Sequence, residues 1–545
     1  MNQTSSDSPS ASKKQRRTRH WNTKVPDGPW DYIVIGSGMG GMVCAAMLSR
    51  MGRRVLVLEQ HYVPGGFTHT FKRPNYEWDV GVHAVGEVTQ HSMTGRLLHY
   101  LTHGRLEWAS LGPVYDEFHY PEGFRIDFPD SPQAFRENLC EAFPNETRAI
   151  DDYLRQVRHV SGAMKQYYLA RALPPRLAPL TDRLLPREAN RLLQQRTKDV
   201  LESMTGDPRL RSVFAAQWGY YGSPPSRSSF AMQALVVKHF MHGGYYPVGG
   251  SGAIADHLLA TVADGGGWTT IRADVEEICI SNGVVDGVRL KSGEEIRARK
   301  VISAAGVSST VQRMMPAGYR ETKWAQSVAK LPPAPAHVCL YIGFKGDIRA
   351  AGASPANKWF YDTWDTEADS WRVAKGERPP HCDVLYCSFP SLKDPNYDAG
   401  EAQRHTGEVV TFVPWESFEA WKSTRWKRRG EEYEAFKEIL QAQLLEQFLE
   451  KMPGLRSMVD YVELSTPLST DHFVRPVGGS IYGLEPTPER FQNRWLRPRS
   501  PVSGLFFAGS EVATVGVIGA MMGGVLAAAS AEPLRTRRLF GKAMS

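Results

Sequence analysis

Cysteine is scarce in this chain and never closely paired. The six cysteines, Cys44, Cys140, Cys279, Cys339, Cys382 and Cys387, include no CxxC, and Cys382 and Cys387 lack partners at zinc spacing. That excludes a zinc ribbon and a thioredoxin-like redox motif, and no metal site is expected. The simplest account is a reduced, cytoplasmic protein with buried free thiols. An apolar run is missing from "MNQTSSDSPSASKKQRRTRH", which is polar and Ser-rich. This stretch therefore does not read as a secretory signal; it is expected to be a disordered, solvated tail. A basic body is missing too. The formal charge is +7, but residues 1–28 hold six basic against two acidic side chains, a net +4, leaving +3 for everything else. Nucleic acid is thus not an expected partner. One long run, Val512 to Ala529, carries no charge over eighteen residues, enough to be weighed as a bilayer span.

What is present begins at "DYIVIGSGMGGMVCAAMLSRMGRRVLVLEQ". Tyr32–Ile35 is a short β-rich run, Met42–Arg50 reads as a helix, and Val55–Leu58 as a second strand, giving a βαβ unit. Gly36, Gly38 and Gly41 fit G-x-G-x-x-G between the first strand and the helix, with Gly40 beside them. The first glycine permits a tight turn, the second a close approach to a pyrophosphate, and the third close packing of helix on strand. The free N–H groups of the helix start favour phosphate. Glu59 ends the second strand, where a carboxylate accepts hydrogen bonds from ribose hydroxyls and repels a 2′-phosphate. A dinucleotide other than NADP is the expected ligand. A second string, Gly250, Gly252 and Ala255, follows no apolar strand and is not expected to bind a nucleotide. Further on, Val275–Ser281 and Val284–Leu290 alternate around Asn282-Gly283, a type I′ hairpin signal.

Gly65 and Gly66 follow the acidic residue closely. This double glycine resembles the flavin oxidoreductases of the amine oxidase and phytoene desaturase superfamily. The stretches "DVGVHAVG" (Asp79–Gly86), "STPLSTDHF" (Ser465–Phe473) and "GGSIYGLEPTPERF" (Gly478–Phe491) resemble its retinol saturase and carotenoid isomerase branch. The resemblance covers nearly all of residues 30–532. It implies FAD as cofactor and an α/β, p-hydroxybenzoate-hydroxylase-like architecture. A Rossmann-type FAD-binding domain would be assembled from residues 29–95, 245–310 and 495–535, and an α+β substrate domain from 96–244 and 311–494. Residues 1–28 and 536–545 are left as tails.

The same resemblance implies further site residues. Val275 would contact adenine through its backbone. Gly509 would end a strand before Glu511, whose carboxylate would reach the ribityl chain, although it stands one position later than in the common A-G-D/E form. Gly516, Gly519, Gly523 and Gly524 would face the isoalloxazine, which turns the uncharged run into a flavin-facing helix rather than a span. His83 is the first candidate for proton transfer beside the flavin, with Tyr482 the second, and Glu485 is expected near the same turn. The activity implied is saturation, desaturation or isomerisation of carbon–carbon double bonds in a long lipophilic molecule such as a carotenoid or retinoid-like polyene. Fatty-acyl chains as substrate, an amine oxidase and a non-catalytic FAD-binding protein stay open beside it. Aromatics such as Tyr115, Tyr220, Trp359 and Trp364 suit an apolar tunnel. No NAD(P)H domain is evident, so the electron donor or acceptor is not specified. The basic–aromatic run Trp421–Arg429 suits peripheral contact with a membrane surface. The helix after it is expected to bury Phe436, Ile439, Leu440, Leu444 and Phe448.

Overall fold

The computed structural model describes residues 20–173, 186–368 and 370–545. Strands Trp30–Ile35 and Val55–Glu59 are almost wholly buried, as strands covered on both faces are. They pair in parallel, Ile33 opposite Leu56 and Val34 opposite Val57. Trp268–Ile271 extends the sheet on one side, and Glu295–Ser303 on the other, followed by Leu505–Phe507, all parallel. The hairpin Val275–Ser281/Val284–Leu290 continues it in antiparallel fashion, and Asn282 and Gly283 both take the positive φ of a type I′ turn. One eight-stranded sheet thus gathers remote stretches of chain.

Helix Met39–Arg50 is apolar around its circumference and buried except at Arg50. It packs with helices Gly252–Asp264 and Gly516–Ala531 in one core layer. Glycines set the closest approach. A Cβ on Gly524 would stand 2.2 Å from the Gly40 carbonyl oxygen, and one on Gly523 would meet the Gly509 carbonyl. Among the described residues no helix is long and apolar enough to cross a membrane.

A second sheet of seven strands runs Val459–Ser465, Ala336–Lys345, Arg404–Val413, Val384–Ser388, Asn357–Tyr361, Val114–His119 and Arg125–Pro129 in spatial order. Helix Glu431–Lys451 lays Phe436, Leu440, Leu444 and Phe448 against it. Ile439, expected on that face, is 46% exposed, because the stripe is narrower than the sequence pattern suggested.

Two tail boundaries need correction. Residues 536–545 are not a tail: all but Ser545 belong to helix Pro533–Met544, which buries Leu539 and Ala543 beside helix Met93–Thr102. Residues 1–28 are not wholly a tail, since Trp21–Asn22 pairs in parallel with Thr269–Thr270. The rest of that expectation, residues 1–19, lies outside the described residues.

Candidate active site

A cavity of about 640 Å³ runs from the carboxyl ends of the parallel strands to the second sheet. At its first end, Gly36 takes φ +90 after strand Trp30–Ile35, and Gly38 precedes helix Met39–Arg50. Gly38 has no side chain to cap the helix, so the first-turn N–H groups remain for an anion. Gly41 explains its own selection, since a Cβ there would lie 2.1 Å from the Gly36 carbonyl oxygen. Glu59 is buried at the rim. Its Oε2 accepts from the Ser37 N–H (2.9 Å) and hydroxyl (2.6 Å), and Oε1 from the His61 N–H (2.8 Å). The Gly65-Gly66 loop closes over this point: Gly65 donates its N–H to Ser37 Oγ, and a Cβ on Gly66 would press on Gly38. Val275 lines the cavity next to Asp274, whose carboxylate takes both hydrogen bonds of Arg475 at 2.7 and 2.8 Å.

Gly509, Glu511 and Gly516 line the middle. Glu511 points to the cavity edge, but its Oε2 accepts from the Ser308 N–H at 2.9 Å, and it packs against Gly306 and Gly483. Burial pushes its carboxyl up, against the N–H groups that pull it down. Gly519, Gly523 and Gly524 do not meet the cavity. Gly519 faces the Thr514 carbonyl, and the other two serve the helix contacts described above.

The far end is a chamber walled by Tyr220, Trp359, Tyr386, Phe412 and Tyr482, with Val384, Val410 and Ile481 between them. Of the aromatics expected in a tunnel, Tyr220 and Trp359 reach it. Others are core: Tyr120 stacks on Trp364 at 4.4 Å, and Tyr115 on Phe240 at 5.2 Å. Tyr386 and Phe412 were not singled out from the sequence, because strand aromatics look alike until pairing assigns their faces. Tyr482 donates its hydroxyl to the Gly219 carbonyl at 3.1 Å and so straps two walls together. Glu485 is turned away from the cavity, accepting from Ser223 and Arg227.

His83 also lines the chamber, edge-on to Tyr386. Behind it stands Glu408, fully buried, with Oε2 at 2.8 Å from His83 Nδ1. Lys393 donates to the His83 carbonyl (2.7 Å), to Ser388 Oγ (2.7 Å) and to Asn357 Oδ1. Burial pushes His83 down to about 3, helped by Lys393, and Glu408 up to about 8. Burial also brings Lys393 down to about 7 and Asp79 up to about 6. Neither Glu408 nor Lys393 was foreseen. A lone carboxylate in the apolar strand "HTGEVVTFV" was the available signal.

The model for the family described as flavin containing amine oxidoreductase matches residues 39–531. The chain belongs to this family. Its fold agrees: wild-type putrescine oxidase bound to putrescine superposes with a TM-score of 0.60 at 15% identity, over 93% of this chain and 99% of that one. Among curated relatives, human all-trans-retinol 13,14-reductase is 31% identical over 538 residues, 95% of this chain and 87% of that protein. The chloroplastic prolycopene isomerase of Arabidopsis thaliana is 26% identical over 510 residues, covering 92% and 82%. The chain is a flavin oxidoreductase, and its cofactor is FAD. The cleft fits that group. Gly38, Gly509 and Gly516 each have open space where a Cβ would stand, so the protein leaves their cavity faces bare.

Proposed function

We propose that this flavin oxidoreductase acts on carbon–carbon double bonds of a long conjugated polyene of the retinoid or carotenoid kind. The observation that carries the reading is the aromatic chamber continuous with the cofactor cleft. A flat apolar chain entering it loses water contact at a gain of about 25 cal/mol per Å² buried, and its π-faces meet ring faces. No carboxylate lines the chamber end among the described residues, so an ammonium substrate would find no counter-charge there. The names of the two relatives, a retinol reductase and a prolycopene isomerase, support a substrate of this class.

In this reading, the helix start at Gly38 holds the FAD pyrophosphate, Glu59 the ribose and Val275 the adenine. Gly509, Gly516 and the Gly65-Gly66 loop flank the flavin, and Glu511 braces the loop beside the ribityl chain. Bound FAD supplies two-electron hydrogen transfer with one carbon of the double bond. The chain's own share is orientation, exclusion of water, and the proton at the neighbouring carbon, which we place on His83. Tyr482 shapes the wall. An external electron partner completes the cycle. Peripheral membrane contact is part of the reading only at Arg425, Lys427 and Arg428, which are exposed around Trp426. Trp421 is buried, and Arg429 is spent on the Trp421 and Leu468 carbonyls, so neither takes part.

The test uses dithionite-reduced, anaerobic holoenzyme mixed with all-trans-retinol, a poly-cis carotenoid, or oleoyl phospholipid, with products separated by chromatography. A saturated or isomerised polyene is expected. Conversion of oleoyl chains with both polyenes untouched would move the substrate to the acyl class. Amine-dependent peroxide release by the oxidised enzyme, with every lipid unchanged, would overturn the reading.

A further inference from the structure

The proton at the second carbon has a source behind His83. Among the described residues Nδ1 and Glu408 Oε2 stand 2.8 Å apart as a close contact, yet neither has a hydrogen-bonded partner, and Glu408 Oε1 has none either. Two bare lone pairs at that distance repel, and a proton held by one of the two groups relieves that repulsion. Its resting place follows from the surroundings. Glu408 has no solvent exposure at all, whereas the His83 ring is 14% exposed toward the chamber. A bare carboxylate costs most where water is absent, so the proton rests on the carboxyl group, beside Nδ1. The imidazole then keeps its own proton on Nε2, the edge left to the chamber. His83 is thereby presented as a donor.

We propose that Glu408 is the proton store of the active site, loading His83 as an acid toward the substrate carbon. This rests on the polyene reading above and deepens it. When Nε2–H is given to carbon, Nδ1 takes the Glu408 proton, so the imidazole stays neutral and the carboxyl becomes a carboxylate. One C–H bond forms, and the pair loses one proton, to be restored from solvent. The two electrons and the other hydrogen are those of the reduced cofactor, itself reduced by an external two-electron donor. Lys393 faces the new carboxylate as a cation. Its three hydrogen bonds, one of them to the His83 carbonyl, also fix the residue it serves. Glu408 acts only through His83 and is a positioning residue. Because the pair rests loaded, the geometry favours saturation over desaturation.

The neighbours do not compete for this proton. Asp79 is occupied by Ser251 and Tyr246. Burial holds His337 down at about 4, so it is neutral, and keeps Cys339, Tyr341, Tyr246 and Tyr386 protonated. Asp116, which acts on Lys393 and Tyr386, is bound by Asn357 and Tyr220.

Glu408→Gln keeps the shape and removes the transferable proton. Infrared spectra of the holoenzyme should show a protonated-carboxyl band at pH 7 that fades as the pH rises through about 8. Glu408→Gln should abolish that band without changing the bound-flavin spectrum. With reduced enzyme and all-trans-retinol, the variant should lose on the order of 10²-fold in kcat at unchanged KM, together with the alkaline limb of the pH profile. Glu408→Asp should restore part of both, and adding Glu408→Gln to His83→Gln should cost nothing further. Absence of the band in the wild type, or its persistence in Glu408→Gln, overturns the proton store. So does a Glu408→Gln profile that keeps its alkaline limb. If the wild type converts no polyene, the substrate reading fails, and the infrared band still decides whether Glu408 holds the proton.

Discussion

Replacing Gly524 by alanine separates two explanations of the glycine-rich helix Gly516–Ala531. If its glycines serve the cofactor, the methyl should weaken FAD binding and leave the protein otherwise intact. The structure says otherwise. The added Cβ would stand 2.2 Å from the Gly40 carbonyl oxygen and 3.2 Å from the Cys44 nitrogen, both backbone atoms. A relaxed C···O contact lies near 3.3 Å or beyond, so helices Met39–Arg50 and Gly516–Ala531 must part by about 1 Å. A gap of that size forfeits roughly a quarter to a half of each lost dispersion contact, and overpacking of this kind costs about 3 kcal/mol at its upper end. Alanine returns about 1 kcal/mol through its better helix propensity. The net expectation is a loss of about 2 kcal/mol, read as a lower urea midpoint in apoprotein and holoprotein alike. Gly38→Ala is the control. Nothing lies within 4 Å of its Cβ position and its φ of −65 suits alanine, yet it faces the cavity. It should leave the apoprotein midpoint unchanged and weaken FAD, measured by the fluorescence of released flavin. A Gly524→Ala protein of unchanged apo stability that sheds its flavin would refute the reasoning.

Tyr482→Phe removes the hydroxyl bound to the Gly219 carbonyl. It should cost about 1 kcal/mol of stability and change kcat on a polyene by no more than a few-fold; a 100-fold loss would return Tyr482 to the chemistry. In the second sheet, burial pushes the Glu117 carboxyl up, but His119, Lys358 and Arg125 outweigh it and hold it at about 2. A depressed carboxylate stabilises the fold above its unfolded value near 4.5 and loses that contribution as pH falls toward 2. The wild type should therefore lose more stability than Glu117→Gln between pH 5 and pH 3, in urea titrations at each pH, by at most about 2 kcal/mol after solvent screening. Equal losses would show that the pair contributes nothing. Glu59→Ala should free Ser37 and the His61 N–H and weaken FAD at least tenfold, since about 1.4 kcal/mol is a factor of ten and three hydrogen bonds order that rim. Unchanged FAD affinity would remove Glu59 from the cofactor site.

The glycine-rich end of the cavity was legible because its signals are local. Gly36, Gly38, Gly41 and Glu59 lie within one βαβ unit, and the spacing of turn, helix and strand is itself the geometry. The hairpin at Asn282-Gly283 was legible for the same reason. The chamber was not. His83 and Lys393 are 310 positions apart, and Glu408 meets His83 because strand Tyr76–Asp79, just before His83, packs against strand Arg404–Val413 of the second sheet. Period-2 alternation tells which residues share a strand face, but not what that face meets. Hence Tyr220 and Trp359 were expected in the tunnel beside Tyr115 and Trp364, which do not line it, while Tyr386 and Phe412 were passed over.

Composition misled in one instructive way. A run of glycines reports that something comes close to a backbone, and the family resemblance supplied the flavin as that partner. For Gly516 the open space at its Cβ agrees. For Gly519, Gly523 and Gly524 the partner is protein: a Thr514 carbonyl, the Gly509 carbonyl and the Gly40 carbonyl. The two groups nevertheless act together. Gly40 stands in the first turn of the helix whose open N-terminus faces the cavity, and Gly509 is on the cavity wall. Glycines that hold helix Gly516–Ala531 against these two points therefore set the width of the cleft without lining it. A methyl at Gly524 should widen the cleft before it touches any ligand. For that reason the flavin affinity of Gly524→Ala should fall only in step with its stability, whereas that of Gly38→Ala should fall alone.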